Sequence, residues 1–360
     1  MRAKKLMEYL VFSFETNKEP VLIKGAPGVG KSDIVKQAAA KVRWEEFYRN
    51  FTGYKSPELL TKIASKTIGA KLIISHPVVA DPTDYKGLPF VVNNEAEFLP
   101  FGELKQLIYA EEPTIFFLDD LGQATPAVQS AVMQLLLARR INGHKISDHV
   151  VFVGATNRRE DRANVGGILE PVKGRFKGGI IELEPHLEDW CKWAWENNMP
   201  SQLISYLQFR PKQLFNFNPT RDIENSPNPR TNEGVGNAIN NNVPTDLRFE
   251  VVKGIAGETY AIEFEAYLKV FMTLPSIHEI ESNPHSALVP TEISAKFAAM
   301  GLISDAMNQK NVGAFITYLQ RLGDEMLIAA MKNAAMKNPA ICATQDFINF
   351  GVKYSEILMS

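Results

Sequence analysis

Five short runs of apolar residues, rich in β-branched and aromatic side chains, are spaced along the first half of the chain. Runs that are nearly continuous in apolar residues predict strands buried on both faces, as in a parallel sheet. The stretches between them carry helical spacing, so the pattern predicts an α/β fold with a parallel five-stranded sheet between layers of helices. The runs are 21–23, 71–75, 114–118, 150–155 and 179–183.

From Leu187 onward the strand signals fade, and apolar residues recur at helical spacing. The first stripe, at i, i+3, i+4 and i+7, consists of Leu187, Trp190, Cys191 and Ala194. This change predicts two domains, an α/β core over residues 1–184 and an all-helical domain over residues 185–360. A chain of 360 residues is long enough for two domains, each with its own core.

The first apolar run leads into a glycine-rich turn, and a helical pattern follows over 32–40. The turn fits the pattern Gly-x-x-x-x-Gly-Lys-[Ser/Thr] with Gly25, Ala26, Pro27, Gly28, Val29, Gly30, Lys31 and Ser32. Backbone N–H groups and a helix N-terminus together form an anion site. We therefore expect this loop to hold ATP, with Lys31 at the β- and γ-phosphates and the Ser32 hydroxyl on Mg²⁺. The alternative is a chance glycine turn.

Polar side chains also end two of the other runs. Asp119 and Asp120 follow the run at 114–118, and Asn157 follows the run at 150–155 with Thr156 between them. Ligands bind at the carboxyl ends of strands in open α/β sheets. We expect Asp119 to hold Mg²⁺, Asp120 to orient and polarise the attacking water, and Asn157 to bond the γ-phosphate or that water. Taken alone, the two aspartates could equally cap a helix or lie in a loop.

Composition narrows the class of protein. The net charge of −2 gives no electrostatic footprint for nucleic acid, which argues against such a partner. Two cysteines cannot form a disulfide framework, and they fit a reducing cytoplasm. Glu8 interrupts the first apolar stretch, no small-residue cleavage site follows, and no run approaches transmembrane length. We expect a cytoplasmic protein without a membrane segment.

The glycine turn, the Asp119-Asp120 strand end, Asn157 and Gly174-Arg175-Phe176 occur in an order that resembles the AAA+ ATPases. The chain is more narrowly similar to the MoxR group, in four stretches at 81–89, 123–129, 137–141 and 154–158. The similarity runs from about Pro20 to the C-terminus and weakens after about Leu274. It implies hydrolysis of ATP with Mg²⁺ in a homo-oligomeric ring, a hexamer in the family, that remodels or activates a protein partner. In this family the partner is often a protein with a von Willebrand factor type A domain.

The resemblance also implies roles for two arginines. Arg175 resembles the arginine finger that reaches a neighbour's γ-phosphate, for which a permanently charged, bidentate guanidinium is suited. Arg230 resembles the lid arginine at the start of a helix, delivered by a loop that the Asn- and Pro-rich segment 216–234 predicts. Either could be a solvated surface arginine. Arg139 and Arg140 are alternative fingers, but they end a long helical pattern, where positive charge suits the dipole.

Two hairpins support the same family independently. An Asn-Gly turn within 141–146 is a strong hairpin signal, and 89–98 contains a weaker Asn-Asn turn. Their positions match the two insertions of this branch, which in the family face the central pore and contact the substrate. The alternative is that both are connecting loops.

One position departs from the family. Asp120 stands where the residue after the Mg²⁺ aspartate is usually Glu, and its side chain is one methylene shorter. Because errors of about 1 Å in position can cost ~10²-fold in rate, a second hypothesis is an ATP-gated assembly scaffold with very slow hydrolysis. A third is a DNA-directed motor or loader, which the charge balance disfavours.

Overall fold

A computed structural model describes residues 1–51, 56–161, 166–220 and 222–355. The chain divides into two compact units, Met1–Glu184 and Pro185–Ser360. Each unit is described by itself.

The first unit alternates strands and helices. Its strands are β1 (Val21–Lys24), β2 (Lys71–Ser75), β3 (Leu88–Val92), β4 (Glu95–Leu99), β5 (Thr114–Leu118), β6 (Arg140–Ile141), β7 (His144–Lys145), β8 (Val150–Thr156) and β9 (Ile180–Glu182). Its helices are α1 (Ala3–Glu15), α2 (Lys31–Ala40), α3 (Trp44–Tyr48), α4 (Pro57–Ser65), α5 (Pro82–Lys86), α6 (Gly102–Ile108), α7 (Pro126–Ala138) and α8 (Glu170–Lys173).

Five strands form one parallel sheet in the order β2-β5-β8-β1-β9. Every residue of β5 and β8 is buried, as expected for inner strands covered on both faces. In the register Leu118 pairs with Gly154, and Lys24 pairs with Thr156. The segments that follow β1, β5 and β8 therefore emerge at one edge of the sheet. The predicted fold class is confirmed.

Gly154 allows a close approach at the centre of this sheet. A Cβ at this position would lie 3.1 Å from the Phe176 ring and 3.2 Å from Leu22. Phe176 is buried in the same apolar cluster as Phe116 and Phe152. The residue after Arg175 is thus packed against the middle of β8, which holds the chain around Arg175 in place.

Both predicted hairpins are present. β3 pairs antiparallel with β4, and Asn93 and Asn94 of the turn have φ of 53° and 66°. β6 pairs antiparallel with β7 around Asn142 and Gly143, with φ of 47° and 86°. Asparagine and glycine tolerate these left-handed conformations, which two-residue hairpin turns require.

The second unit is helical in its described residues. Its helices are α9 (Leu187–Glu196), α10 (Ser201–Phe209), α11 (Pro229–Asn240), α12 (Thr245–Ala256), α13 (Glu258–Phe271), α14 (Ile277–Ser282), α15 (Ile293–Ala306), α16 (Val312–Leu322), α17 (Asp324–Lys337) and α18 (Gln345–Lys353). The predicted stripe of α9 buries Trp190, Cys191 and Ala194. These helices build two apolar clusters, one around Leu203 and Phe264 and one around Phe315 and Leu327.

Among the helices that the structure describes, none combines the length and the apolar character needed to cross a membrane.

The prediction of a loop over 216–234 is wrong beyond Asn228. Helix α11 begins at Pro229, and the Asn228 side chain accepts hydrogen bonds from the N–H groups of Arg230 (3.0 Å) and Thr231 (3.1 Å). Asparagine at the N-cap followed by proline at the first helical position is a strong helix start. The loop therefore ends before Arg230, and Arg221 within it lies outside the described residues.

Candidate nucleotide-binding site

The glycine-rich turn connects the carboxyl end of β1 to the first residue of α2. Gly28 and Gly30 have φ of 75° and 93°, conformations that favour glycine. A Cβ at Gly30 would meet nothing within 4 Å, so the conformation, not crowding, requires glycine there. Lys31 and Ser32 occupy the first turn of α2, where free backbone N–H groups and the helix dipole favour an anion.

Lys31 is held over the turn by three oxygen atoms. Its side chain is buried, with the residue only 7% exposed, and Nζ donates to the carbonyls of Gly25 (2.9 Å) and Ala26 (3.0 Å). The third acceptor is Oδ1 of Asn157, at 2.7 Å. Burying an ammonium group is costly without such partners. These bonds therefore fix the charge at the mouth of the turn.

Asn157 links the lysine to a carboxylate. While its Oδ1 accepts from Lys31, its Nδ2 donates to Oδ1 of Asp120 at 3.0 Å. The chain of bonds Lys31–Asn157–Asp120 thus crosses the ends of β1, β8 and β5, which are neighbours in the sheet. The sequence predicted that Asn157 would face phosphate or water; the structure places it between two other predicted site residues.

Ser32 and Asp119 form a second pair at the same edge. The Ser32 hydroxyl donates to Oδ2 of Asp119 at 2.6 Å, and the backbone N–H of Asp120 donates to Oδ1 of Asp119 at 3.1 Å. The described residues contain no group of three or more His, Cys, Asp or Glu that could hold a metal ion. Mg²⁺ suits this arrangement, because proteins usually hold it through one or two oxygen side chains together with phosphates and water. The residues fit the predicted ion.

Asp120 has an unusual backbone conformation and an unusual charge environment. Its φ of 54° and ψ of 34° are left-handed, a region that Asp enters more readily than most residues. Burial raises the pKa of Asp120, and the negative charge of Asp119 raises it further, while Lys31, Asn157 and His76 lower it. The net result is a carboxylate with a pKa above its ordinary value, a better proton acceptor than a solvated aspartate.

His76 was not among the predicted site residues. It follows β2 directly, as Asp119 follows β5, and its charge acts on Asp120. The rule that places polar strand-end residues at the site would have found it.

Arg175 lies at the other edge of the sheet. It lines a cavity of about 490 Å³ together with residues that precede strands, among them Pro20 before β1 and Asp148 before β8. The four residues of β1 alone separate the two edges by about 13 Å. The Arg175 Nε is buried and has no hydrogen-bond partner among the described residues. The structure therefore does not bring Arg175 to the glycine turn of its own chain.

The remaining arginines have separate surroundings. Arg139 lines the same cavity as Arg175, but its guanidinium donates to the carbonyls of Ser147 and Val150, both at 2.8 Å. Arg140 begins β6. Arg230 belongs to the second unit, where it is an exposed residue in the first turn of α11.

The class of protein follows from this geometry and from a family match. Residues 20–176, which are 157 of the 360 residues, match the family described as AAA domain, dynein-related subfamily. This segment contains the glycine turn, both strand-end carboxylates, Asn157 and Arg175. Over these residues the chain is similar to an AAA domain, and the glycine turn with its strand-end carboxylates fits the binding and hydrolysis of ATP. The MoxR group stays a prediction.

Solved structures give only distant likenesses. The Holliday junction branch migration motor RuvB of Thermotoga maritima is 15% identical, covers 77% of this chain and 76% of its own, and has a TM-score of 0.38. NtrX of Brucella abortus in complex with ATP is 12% identical, covers 99% and 68%, and has a TM-score of 0.42. Neither value carries an argument about function. No curated protein matches the chain.

We expect Lys31→Ala to weaken binding of ATP–Mg²⁺ by about 10- to 100-fold, because hydrogen bonds to charged groups contribute roughly 1.5–3 kcal/mol. Titration calorimetry on the folded variant measures this. Lys36→Ala is the matched control, since Lys36 lies on the same helix but is exposed and paired with Asp33. Equal affinity of the Lys31→Ala variant and the parent would show that the turn does not hold phosphates through this lysine.

We expect Asp120→Asn to raise the free energy of unfolding at pH 7 and to lose this advantage toward pH 4. The pKa of Asp120 in the folded protein lies above the unfolded value of about 3.9, so the folded state binds the proton more tightly. Above its folded pKa the ionised carboxylate lowers stability, and below its unfolded pKa that cost is absent. Asparagine keeps an oxygen for Asn157 and tolerates the left-handed backbone.

Urea unfolding at both pH values measures this difference. Asp33→Asn, which neutralises an exposed carboxylate on α2, is the control. A stabilisation by Asp120→Asn that is equal at pH 4 and pH 7 would contradict the assigned cause.

Proposed function

We propose that the protein is a MoxR-type AAA+ ATPase that forms a homo-oligomeric ring, a hexamer by family resemblance, and remodels or activates a protein partner. One observation carries this proposal: charged groups suited to phosphoryl transfer are divided between opposite edges of one sheet. A single chain cannot bring both edges to one nucleotide. A second copy, offering its Arg175 edge to the first copy's glycine turn, completes the site.

The residues at the carboxyl edge would serve the nucleotide of their own chain. Lys31 would exchange carbonyl acceptors for phosphate oxygens, and Ser32 and Asp119 would hold Mg²⁺, which supplies charge neutralisation at the phosphates. Asp120 would accept a hydrogen bond from the attacking water and orient it in line. Asn157 is bonded to both Lys31 and Asp120. It would therefore keep the water on Asp120 at a fixed distance from the phosphates on Lys31.

The two arginines would act from outside this edge. Arg175 carries a guanidinium whose buried Nε has no hydrogen-bond partner among the described residues. A side-chain rotation that exposed this donor to a phosphate of a neighbouring copy would satisfy it. Arg230 is exposed at the start of α11, and by the family resemblance it would act as the lid arginine.

The two hairpins support a contact with a protein partner. Asn142 Nδ2 donates to the carbonyl of Lys86 at 2.8 Å, and the His144 ring lies 2.9 Å from the carbonyl oxygen of Phe98, so the hairpins form one surface. Phe90 and Val91 of β3 are 63% and 71% exposed. Exposed apolar side chains on a braced hairpin fit a protein contact. By the family resemblance the partner would carry a von Willebrand factor type A domain.

A second candidate is an ATP-gated scaffold with very slow hydrolysis. It is favoured by the Asp120 side chain, which is one methylene shorter than the glutamate usual in the family. The left-handed backbone of Asp120 also suits aspartate better than glutamate. A DNA-directed motor is the third candidate, and the net charge of −2 argues against it. Steady-state phosphate release separates the first two, and stimulation of that rate by duplex DNA would favour the third.

We expect Asp120→Asn to bind ATP as the parent does but to hydrolyse it at least about 10-fold more slowly, because a neutral amide cannot take up a proton. Asp120→Glu restores the family's reach and is expected to raise turnover, at a cost of roughly 1 kcal/mol in stability from the left-handed backbone. Phosphate release under saturating ATP measures both variants. An Asp120→Asn variant as fast as the parent would move the role to another residue.

We expect turnover to depend on protein concentration, and Arg175→Ala to lower it by ~10³-fold or more, as arginine fingers do elsewhere. Mixing Arg175→Ala chains with Lys31→Ala chains should recover activity at up to about a quarter of the interfaces, where an intact glycine turn meets an intact arginine. Each variant must be inactive alone and must still assemble in sedimentation. No recovery, together with a fully active monomer, would rule out a shared site.

A further inference from the structure

Gln129 in α7 is a buried side chain, 2% exposed, whose amide bonds only to main-chain atoms in the described residues. Nε2 donates to the carbonyls of Ala124 (3.1 Å) and Gly167 (2.9 Å). Oε1 accepts from the N–H of Leu169 at 2.9 Å. A buried amide with both ends satisfied orients the backbone it bonds, because leaving either partner unpaired would cost free energy.

The two sides of this amide belong to different parts of the site. Ala124 ends the short 3₁₀ turn that follows Asp120. Gly167 and Leu169 precede α8, after which the chain reaches Arg175. One side chain thus connects the loop after the strand-end carboxylates to the segment that leads to the arginine.

The segment before α8 depends on these bonds for its conformation. Gly167 has φ of 97° and wide conformational freedom, and residues 166–169 form no regular secondary structure. Ile168 and Leu169 pack against the apolar cluster, but apolar contacts are not directional. The carbonyl of Leu169 accepts from Val172 (2.9 Å) and Lys173 (3.1 Å), so the position of Leu169 sets the start of α8.

The carboxylate side is held independently of Gln129. Asp120 is bonded to Asn157, and Asp119 is bonded to Ser32 and, through its backbone N–H, to Ser75 at 2.9 Å. Loss of the Gln129 amide would therefore leave the glycine turn and its carboxylates in place. It would loosen residues 166–169 at the start of α8, while Phe176 stays packed against Gly154.

We propose that Gln129 is a positioning residue that fixes the segment leading to Arg175. Losing Gln129 would therefore slow hydrolysis in the neighbouring copy that receives this arginine. This inference rests on the proposed shared site. The variant is Gln129→Leu, which keeps the volume and removes the amide, and Gln129→Met serves if the first variant does not fold. Ser130→Ala is the matched control, since Ser130 is exposed on the same helix and its hydroxyl donates to the carbonyl of Pro126.

Hydrogen exchange tests whether the Gln129 amide holds the segment before α8 in place. In Gln129→Leu the Leu169 amide loses its acceptor, so its exchange should quicken by about tenfold or more, while the peptide over α2 is unchanged. Ser130→Ala should leave both peptides as in the parent. Unchanged exchange at 166–176 in a folded Gln129→Leu variant overturns the inference.

Mixing experiments test whether Gln129 acts on the neighbouring copy or on its own chain. Gln129→Leu alone should keep the ATP affinity of the parent and lose turnover. Mixed with Lys31→Ala it should recover, because its own glycine turn then meets an intact Arg175 edge. Mixed with Arg175→Ala it should not recover, because neither chain lends a well-placed arginine. The opposite pattern would place the effect of Gln129 in its own chain and overturn the inference.

The same mixtures separate this inference from the proposed function. Recovery by Arg175→Ala with Lys31→Ala, but none by Gln129→Leu with Lys31→Ala, overturns the role of Gln129 alone. Failure of both pairs removes the shared site, and this inference falls with it.

Discussion

The arrangement of side chains at the carboxyl edge of the sheet depends on the buried ammonium of Lys31. A charge in that position needs several oxygen acceptors, and the fold supplies them from the glycine turn after β1 and from Asn157 after β8. Parallel strands in register make this possible, because their carboxyl ends reach the same edge. The same amide of Asn157 then fixes Asp120. The requirement of one side chain is therefore met from the ends of two strands. Asn157 then links the charge of the lysine to the Asp120 carboxylate at the end of a third strand.

Strand polarity also explains why the site would be shared. The loops that enter strands and the loops that leave them lie at opposite edges of a parallel sheet. Arg175 precedes β9, so it cannot join the residues that follow β1, β5 and β8. At that edge a guanidinium could take part in phosphoryl transfer only on another copy. Under the proposed function, oligomerisation would follow from the sheet topology and from the position of this arginine.

The sheet and the residues at its carboxyl edge could be predicted from the sequence, because both rest on local signals. Short apolar runs identify the strands, a glycine-lysine pattern identifies the turn, and polar residues after strands identify Asp119, Asp120 and Asn157. Four features could not be predicted in this way. The left-handed backbone of Asp120 and the bonding of Asn157 depend on tertiary contacts. The edge position of Arg175 depends on strand order, and the start of α11 depends on capping by Asn228, where composition alone suggested a loop.

The two edges are nevertheless mechanically connected through the middle of the molecule. Strand β8 ends next to Asn157, and at its centre Gly154 receives the ring of Phe176, the residue after Arg175. Gln129 adds a polar connection from the Asp120 loop to the segment before α8. Because packed interiors are dense and do not deform smoothly, a displacement at the carboxyl edge would reach the arginine as a discrete change. In the proposed ring, a site that binds phosphates at one edge and presents an arginine at the other would in this way transmit its state to the next copy.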